Sequence, residues 1–228
     1  MEIVNGIIVN SSSYKAGKTV IISGLCGSIL QEGMIVDPVK PLEYGEPGKD
    51  ISFFSMITKK PTFYNTILLD SWLDTTNTSW RQLLNICKTF TGPVIMEAPG
   101  TVATPLRSAQ SLLDCTDLSK ELNWPLLLII DNNHNLYEEA VKSISFLKYK
   151  ECNIIGFIIT CTTEDEPSHD LESIANTIAL NYTTPCLGIY PFSPSIDVDK
   201  LMQGNVIKLT QKYIDILPVQ KSLNLTIA

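Results

Sequence analysis

Residues 7–20 restrict the fold more than any other segment, because an apolar strand runs through a loop of small residues into Gly17-Lys18-Thr19 and an apolar helix. Backbone N–H groups of such a loop, at the start of a helix, can surround a polyphosphate. The lysine can reach the β- and γ-phosphates, and the threonine can bind the bridging Mg²⁺. Gly17 fits because a Cβ would keep the backbone away from the phosphate. The motif predicts a phosphate-binding loop.

The spacing of this loop leaves a second interpretation open. The usual first glycine is missing, and Ser11 stands six positions before Gly17 rather than five. A polar strand-to-helix turn that ends in Gly-Lys-Thr by chance is the alternative. On the first interpretation, the loop residues that contact a nucleotide are Ser13, Tyr14, Lys15, Ala16, Gly17, Lys18, Thr19 and Val20.

Composition limits the class of protein. The 228 residues are 44% apolar and 18% charged, which is enough to bury the core of one α/β domain, so we expect a single domain over residues 1–228. The net charge of −7 argues against nucleic-acid binding through a broad basic surface. A small anionic ligand must therefore be met by loops and individual lysines.

Cysteines and apolar runs indicate the compartment. Six cysteines are scattered without a Cys-x-x-Cys pair, which favours reduced thiols over a zinc site or disulfides. The apolar runs are too short to span a bilayer, and the N-terminus lacks the basic-then-apolar pattern of a signal peptide. We expect a cytoplasmic protein that acts on a small molecule and binds neither membrane nor nucleic acid.

Short apolar runs alternate with longer helical patterns along the chain. The predicted strands are residues 2–9, 34–37, 93–97, 124–130, 153–160 and 185–189, and the predicted helices are residues 18–32, 137–149 and 170–181. Runs this rich in Ile, Leu and Val are typical of strands buried on both faces. We predict an α/β fold with a mostly parallel sheet covered by helices on both faces, and irregular structure over residues 41–60 and 99–117.

Ligands of such sheets collect at the carboxyl ends of the strands, so the residues that follow each strand are candidates for the site. Lys40 follows the second strand, where its ammonium could offset phosphate charge or hold an anionic substrate. Glu97 ends the next sheet strand and could complete a Mg²⁺ shell. Taken singly, Lys40 also fits a solvated loop lysine, and Glu97 a helix-capping carboxylate.

Together these motifs resemble the dethiobiotin synthetase family of P-loop NTPases. That family's loop ends in the same Gly-Lys-Thr with the same longer spacing, and its second strand ends in Lys-Pro, as Lys40-Pro41 does here. Its segment Glu-Gly-Ala-Gly-Gly-x-x-Thr-Pro-Leu is similar to residues 97–106, and its Leu-Gly-x-x-Pro to residues 187–191. The resemblance spans about residues 3–217.

The resemblance implies a single-domain P-loop NTPase that works as a homodimeric, ATP- and Mg²⁺-dependent ligase. In that family 7,8-diaminopelargonic acid forms a carbamate with CO₂, ATP phosphorylates the carbamate, and the neighbouring amine displaces phosphate to close the cyclic urea of dethiobiotin. The implied catalytic residues are Lys15, Lys18 and Lys40, of which Lys40 holds the carbamate. The implied metal ligands are Thr19, Asp50 and Glu97, and Thr160 and Pro191 lie where the family binds the base.

The sequence also departs from the family. The family's loop begins Gly-Thr-Asp-Thr, whereas this chain has residues 11–14 reading Ser-Ser-Ser-Tyr, and Thr160 replaces the adenine-reading Asn. Where the family uses a glycine and a helix start to hold the substrate carboxylate, this chain has Glu138 and Glu139, which would repel it. The alternatives are a related ATPase with another substrate, resembling cobyrinic acid amidases or partitioning ATPases, and a regulatory nucleotide-binding module without turnover. Lys15 lies too close to Gly17 for the partitioning pattern.

Overall fold

The computed structural model describes residues 5–44, 48–59, 67–69, 77–105, 113–164 and 170–225. Its main feature is a six-stranded sheet in which all neighbouring strands are parallel, in the order β2-β5-β1-β6-β7-β8. These strands are β1 Gly6–Ser11, β2 Asp37–Val39, β5 Val94–Glu97, β6 Leu126–Asp131, β7 Ile154–Thr160 and β8 Cys186–Tyr190. A separate parallel pair is formed by β3 Leu42–Tyr44 and β4 Ile67–Leu69. The predicted α/β fold with a mostly parallel sheet is confirmed.

Helices cover both faces of the sheet. They are α1 Lys18–Gln31, α2 Lys49–Thr58, α3 Asn77–Cys87, α4 Cys115–Leu122, α5 Leu136–Tyr149, α6 Leu171–Tyr182, α7 Val206–Tyr213 and α8 Leu217–Ser222. Buried side chains of α1, α2, α7 and α8 form one core cluster with the sheet, and those of α3 to α6 form the other. Within the described ranges, none of these helices combines the length and the apolar character needed to cross a membrane.

Strand β1 shows why the apolar runs are continuous. Ile7 and Val9 belong to the core cluster on the α1 side, whereas Ile8 belongs to the cluster on the opposite side. Ile8 also pairs with Met96 of β5 and Leu126 of β6, so β1 lies in the middle of the sheet. Because both faces are packed, alternation of polar and apolar residues is not expected in such a strand. The phosphate loop therefore starts from the centre of the sheet edge.

Two sequence predictions on the first half of the chain were wrong in detail. The strand predicted over residues 34–37 is β2, which begins only at Asp37; Met34 and Val36 are buried by packing in the α1-side core and not by pairing. Residues 41–60, predicted to be irregular, contain β3 and α2. Helix α2 forms because Phe53, Phe54 and Ile57 are buried in the core.

The predicted irregular segment 99–117 is partly described. A turn follows β5, and α4 begins at Cys115 with a capping box between Asp114 and Asp117. Residues 106–112 lie outside the described residues, as do residues 2–4 of the first predicted strand. The remaining predicted strands and helices correspond to β1, β5 to β8, α1, α5 and α6 within a few residues.

Candidate active site

The loop between β1 and α1 has the geometry of an anion site. Gly17 is the N-cap of α1 with φ of 82°, a left-handed conformation that favours glycine. The first turn of α1 contains no acidic residue, so its free N–H groups and positive end face the loop without competition from a carboxylate. The N–H of Ser12 donates to Ile129 O at 2.9 Å, which fixes the loop against β6.

Lys18 lies between the loop and the turn that follows β5. Its ammonium donates to Gly100 O at 2.7 Å and to Ser11 Oγ at 3.1 Å. Burial is the main cause that lowers the pKa of Lys18, and Lys40 lowers it further, while Glu97 and Asp50 oppose the shift. The ammonium is thus partly desolvated, which strengthens its attraction for a phosphate.

A hydroxyl, two carboxylates and a second lysine meet beside Lys18. The Thr19 hydroxyl donates to Glu97 Oε2 at 2.9 Å and lies 3.2 Å from Asp50 Oδ1. Lys40 forms an ion pair with Asp50 and lies 3.5 Å from Glu97 Oε1. These four side chains come from α1, α2, β5 and the residue after β2. The strand order brings them together, because β2 is next to β5 and β5 is next to β1.

The chemistry of this group suits Mg²⁺. Hydroxyl and carboxylate oxygens are hard donors, and Mg²⁺ in phosphate sites usually takes one or two carboxylates together with phosphate oxygens and water. Within the described ranges no cluster of three or more His, Cys, Asp or Glu side chains could hold a metal without such help. Thr19, Glu97 and Asp50 would therefore hold the ion jointly with a nucleotide.

Glu97 is the most buried charged group of the site, with 5% of its surface exposed. Burial raises the pKa of its carboxyl, and Asp50 raises it as well, whereas Lys40, Lys18 and the Thr19 hydroxyl lower it. When burial makes a carboxyl hard to ionise, a nearby cation does most to stabilise its charged form. The charge of Glu97 therefore depends on the cations around it.

A cavity of about 830 Å³ extends from these residues to the loop after β8. The phosphate end is lined by Lys18, Thr19, Lys40, Asp50 and Glu97, and the other end by Pro191, Phe192 and Val198. Such a volume lies in the usual range for small-molecule sites, roughly 300 to 1,000 Å³. The charged end suits the phosphates of a nucleotide, and the other end combines apolar residues with Ser193, Asp197 and Asp199.

The other loop residues predicted to bind nucleotide also lie at this cavity, with one exception. Tyr14, Lys15, Ala16, Gly17 and Val20 contribute to its lining. Tyr14 and Lys15 are exposed, and Lys15 has φ of 58°. Ser13 does not belong to the lining, and its carbonyl instead accepts a hydrogen bond from Ser11 Oγ.

Thr160 lies behind the loop. It is 2% exposed, and its hydroxyl donates to Ala16 O at 2.8 Å, with Ile130 O at 3.3 Å. The hydroxyl therefore holds the phosphate loop against β7. Pro191 lines the cavity near the end of β8.

Four contributors are absent from the predicted site residues. Ser11 follows the first predicted strand and departs from the usual spacing, but no role was predicted for its hydroxyl, which contacts Lys18. Gly100 supplies a carbonyl to Lys18, and backbone atoms carry no sequence signal of their own. Asn133 and Ser12 both donate to Glu139 Oε2, at 3.1 and 3.4 Å, which links α5 to the loop. A serine at the end of a loop-forming strand is the signal that could have identified Ser11.

The fold and the site agree with comparisons to known proteins. A family model described as an AAA domain, AAA_26, matches residues 5–199. The chain belongs to the AAA_26 family. That family includes dethiobiotin synthetase. Two curated relatives of this AAA_26 member are each named ATP-dependent dethiobiotin synthetase BioD.

These relatives are distant but match along most of their length. The protein from Halalkalibacterium halodurans is 24% identical over 218 residues, covering 86% of this chain and 88% of the relative. The protein from Thermodesulfovibrio yellowstonii is 20% identical over 224 residues, covering 86% and 92%. At family level the AAA_26 member thus has a dethiobiotin-synthetase-like, ATP-dependent function, and it is a P-loop ATPase enzyme.

Solved structures support the fold alone. The cell division protein MinD of Aquifex aeolicus has a TM-score of 0.55 and 12% identity, covering 97% of this chain and 96% of MinD. A ParA family ATPase from Chlorobium tepidum has a TM-score of 0.53 and 14% identity, covering 99% and 100%. The AAA_26 member therefore shares its architecture with ATPases of other activities.

Proposed function

We propose that this AAA_26 member is an ATP- and Mg²⁺-dependent cyclo-ligase that forms dethiobiotin from 7,8-diaminopelargonic acid and CO₂. The observation that carries the proposal is the meeting of Lys40 with the phosphate-loop residues Lys18 and Thr19 and with Glu97 and Asp50. A phosphate loop alone would serve any ATPase. A second lysine beside it, held by two carboxylates, provides a place for an anionic acceptor.

The proposed reaction has three steps. One amine of the substrate attacks CO₂ and loses a proton, which gives a carbamate. A carbamate oxygen attacks the γ-phosphorus of ATP, the bond to the β-phosphate oxygen breaks, and ADP leaves. The neighbouring amine then attacks the carbamate carbon, phosphate leaves with the C–O bond electrons, and loss of a proton gives the cyclic urea.

The residues of the site would contribute position and charge. Lys40, oriented by Asp50 and Glu97, would hold the carbamate in line with the γ-phosphate. Lys18 would offset the charge that grows on the transferred phosphoryl group. Mg²⁺, when bound by Thr19, Glu97 and Asp50, supplies further positive charge to the phosphate oxygens.

We also propose a cytoplasmic homodimer. All six cysteines are free, as expected for a reducing compartment. Tyr14, in the phosphate loop, is 71% exposed, and an aromatic side chain at that position suits a protein contact better than solvent. The oligomeric state follows from light scattering coupled to gel filtration, and a monomer at micromolar concentration with ATP and Mg²⁺ would contradict the homodimer.

The test measures phosphate release with 7,8-diaminopelargonic acid, bicarbonate and Mg²⁺, with ATP, GTP and CTP in turn. The cyclic product is identified by mass spectrometry. Product that requires all four components, and that is lost in Lys18→Ala, supports the ligase. Phosphate release without the cyclic urea would remove the substrate assignment and leave the ATPase.

A second candidate, a related ATPase with another acceptor, is favoured by one observation. Glu138 and Glu139 lie in the first turn of α5, and Glu139 is held there by Asn133 and Ser12. The resemblance places the substrate carboxylate at this helix start, where two glutamates oppose an anion. Glu138 is partly offset by Lys142 at 2.6 Å, but Glu139 faces the loop.

The methyl ester of diaminopelargonic acid separates the two candidates. If the glutamates exclude a carboxylate, the protein should turn over the ester more efficiently than the acid. Glu139→Gln should then reduce the difference in efficiency between the two substrates. If the wild-type protein and Glu139→Gln each use the acid and the ester equally well, the result would favour the dethiobiotin assignment. Absence of turnover with any acceptor, despite tight ATP binding, would instead favour the regulatory module.

A further inference from the structure

Ser11, the last residue of β1, is fully buried and has three polar neighbours. Its hydroxyl donates to Ser13 O at 2.8 Å, accepts from Lys18 Nζ at 3.1 Å, and lies 3.4 Å from Gly100 O. Its own carbonyl accepts from Val102 N at 3.0 Å. Ser11 therefore touches the phosphate loop, its lysine and the turn after β5 at once.

The position of the Lys18 ammonium depends on this hydroxyl. A lysine has a flexible four-carbon side chain with a compact charge at its end, so its ammonium is poorly fixed unless acceptors hold it. Two acceptors hold Lys18, the hydroxyl of Ser11 and the carbonyl of Gly100. An ammonium has three N–H donors, so the third remains for a ligand in the cavity that Lys18 lines.

The carbonyl of Gly100 connects Lys18 to the turn that follows Glu97. Gly100 has φ of 65° and lies three residues after Glu97, in a turn where the Thr101 N–H donates to Thr104 Oγ1 at 2.8 Å. A Cβ at Gly100 would lie 2.3 Å from Thr104 Oγ1, so the turn is tightly packed. This rigid turn and the strand end at Ser11 hold the ammonium from two sides.

We propose that Ser11 is a positioning residue, whose hydroxyl sets the place of the Lys18 ammonium for the transition state of phosphoryl transfer. A ground-state nucleotide tolerates a mobile lysine, since phosphate charge is spread over several oxygens. The transition state requires the ammonium at one place, and a misplacement of about 1 Å can cost roughly 100-fold. The inference concerns the nucleotide machinery and does not depend on which acceptor is phosphorylated.

The test compares ADP with its aluminium fluoride complex, which mimics a transferring phosphoryl group and needs no acceptor. The affinity of the full chain for fluorescently labelled ADP is measured with Mg²⁺, with and without aluminium fluoride. For Ser11→Ala we expect ADP affinity within about threefold of wild type, and aluminium fluoride affinity lowered roughly tenfold to 100-fold, the range for a hydrogen bond to a charged group.

Two variants serve as comparisons. Ser11→Thr keeps the hydroxyl on a residue that suits a strand, and it should retain most of the aluminium fluoride affinity. Ser28→Ala removes another fully buried hydroxyl, which donates to Gly24 O within α1 at 2.7 Å, and it should leave both affinities unchanged. Thermal unfolding of each variant checks that the fold is retained.

Several results would overturn the inference. One is an equal loss of affinity for ADP and for the aluminium fluoride complex in Ser11→Ala, which indicates a purely structural role. Others are unchanged affinity in Ser11→Ala, or a wild-type protein that gains nothing from aluminium fluoride. If the ligase assay yields no dethiobiotin but the aluminium fluoride result holds, the substrate assignment fails and the role of Ser11 stands.

Discussion

The two halves of the sheet edge differ in what their polar side chains contact. On the side of β2, β5 and β1, Glu97 and Asp50 contact Thr19. The charges of Lys18, Lys40, Asp50 and Glu97, which come from four separate segments, face one cavity. On the side of β6 and β7, the side chains that line the same cavity are uncharged, and two of their hydroxyls are bonded within the protein. Thr162 donates to Asp131 Oδ1 at 2.8 Å, and Thr160 donates to Ala16 O.

The contrast shows which function each half can perform. Charges that share a cavity are available to a ligand, and burial, more than the neighbouring charges, shifts the pKa values of Lys18 and Glu97. Hydroxyls that are already paired within the protein fix the loop and have little left for recognition. We therefore propose that the β1 side binds phosphate and metal, and that the β6 side holds the loop in place.

The strongest test of this contrast is Lys18→Ala. We expect nucleotide-dependent activity to fall roughly 1,000-fold while the unfolding temperature stays near that of wild type, because a charge that stabilises the transition state is lost without a core contact. Phosphate release and thermal unfolding measure the two effects. Lys208→Ala, an exposed lysine of α7, is the control. Unchanged ATP affinity and turnover in Lys18→Ala would contradict the phosphate-loop assignment.

Lys40→Met separates acceptor binding from nucleotide binding. We expect turnover to fall roughly 100-fold with ATP affinity within about twofold, since Lys40 acts on the group that is phosphorylated. Steady-state kinetics and ATP titration check this. Lys49→Met removes a neighbouring lysine whose exposed ion pair with Asp199 lies outside the charged group, and it should have little effect. A parallel loss of ATP affinity in Lys40→Met would place Lys40 with the phosphates.

Glu97→Gln tests the metal side. The Mg²⁺ concentration for half-maximal activity should rise roughly tenfold, because an amide is a weaker ligand than a carboxylate. Activity measured over a Mg²⁺ series checks this, with the exposed Glu121→Gln of α4 as the control. An unaltered Mg²⁺ requirement in Glu97→Gln would mean that Asp50 and Thr19 hold the ion without it.

The smallest expected effect is on selectivity for the nucleotide base, which we relate to Thr160 at the end of β7. The Thr160 hydroxyl has a single proton, which it donates to Ala16 O, so it offers adenine no donor, whereas an amide would offer a donor and an acceptor. ATP should therefore be preferred over GTP or CTP by less than tenfold, about 1.4 kcal/mol. Competitive nucleotide titrations give the ratio. A preference of several hundredfold would mean that groups near Pro191 read the base.

The sequence alone determined the features that are local in the chain. The phosphate loop and α1 are encoded in one segment of contiguous residues, and the strands of the sheet are encoded in runs of Ile, Leu and Val. Helix α2 was missed although Phe53, Phe54 and Ile57 have helical spacing, and glycines and prolines precede it in the chain. Resemblance to a family supplied Asp50, which composition and periodicity did not indicate.

Only the tertiary structure decided which side chains meet. Asp50 contacts Thr19 and Lys40 because α2 returns to the sheet edge, and Thr160 reaches Ala16 across 144 positions of sequence. These contacts depend on the order of the strands and on packing of helices on both faces, and no local pattern carries that information. A strand can be recognised from a few neighbouring residues. A site forms only when the whole core has packed, because that packing places distant segments side by side.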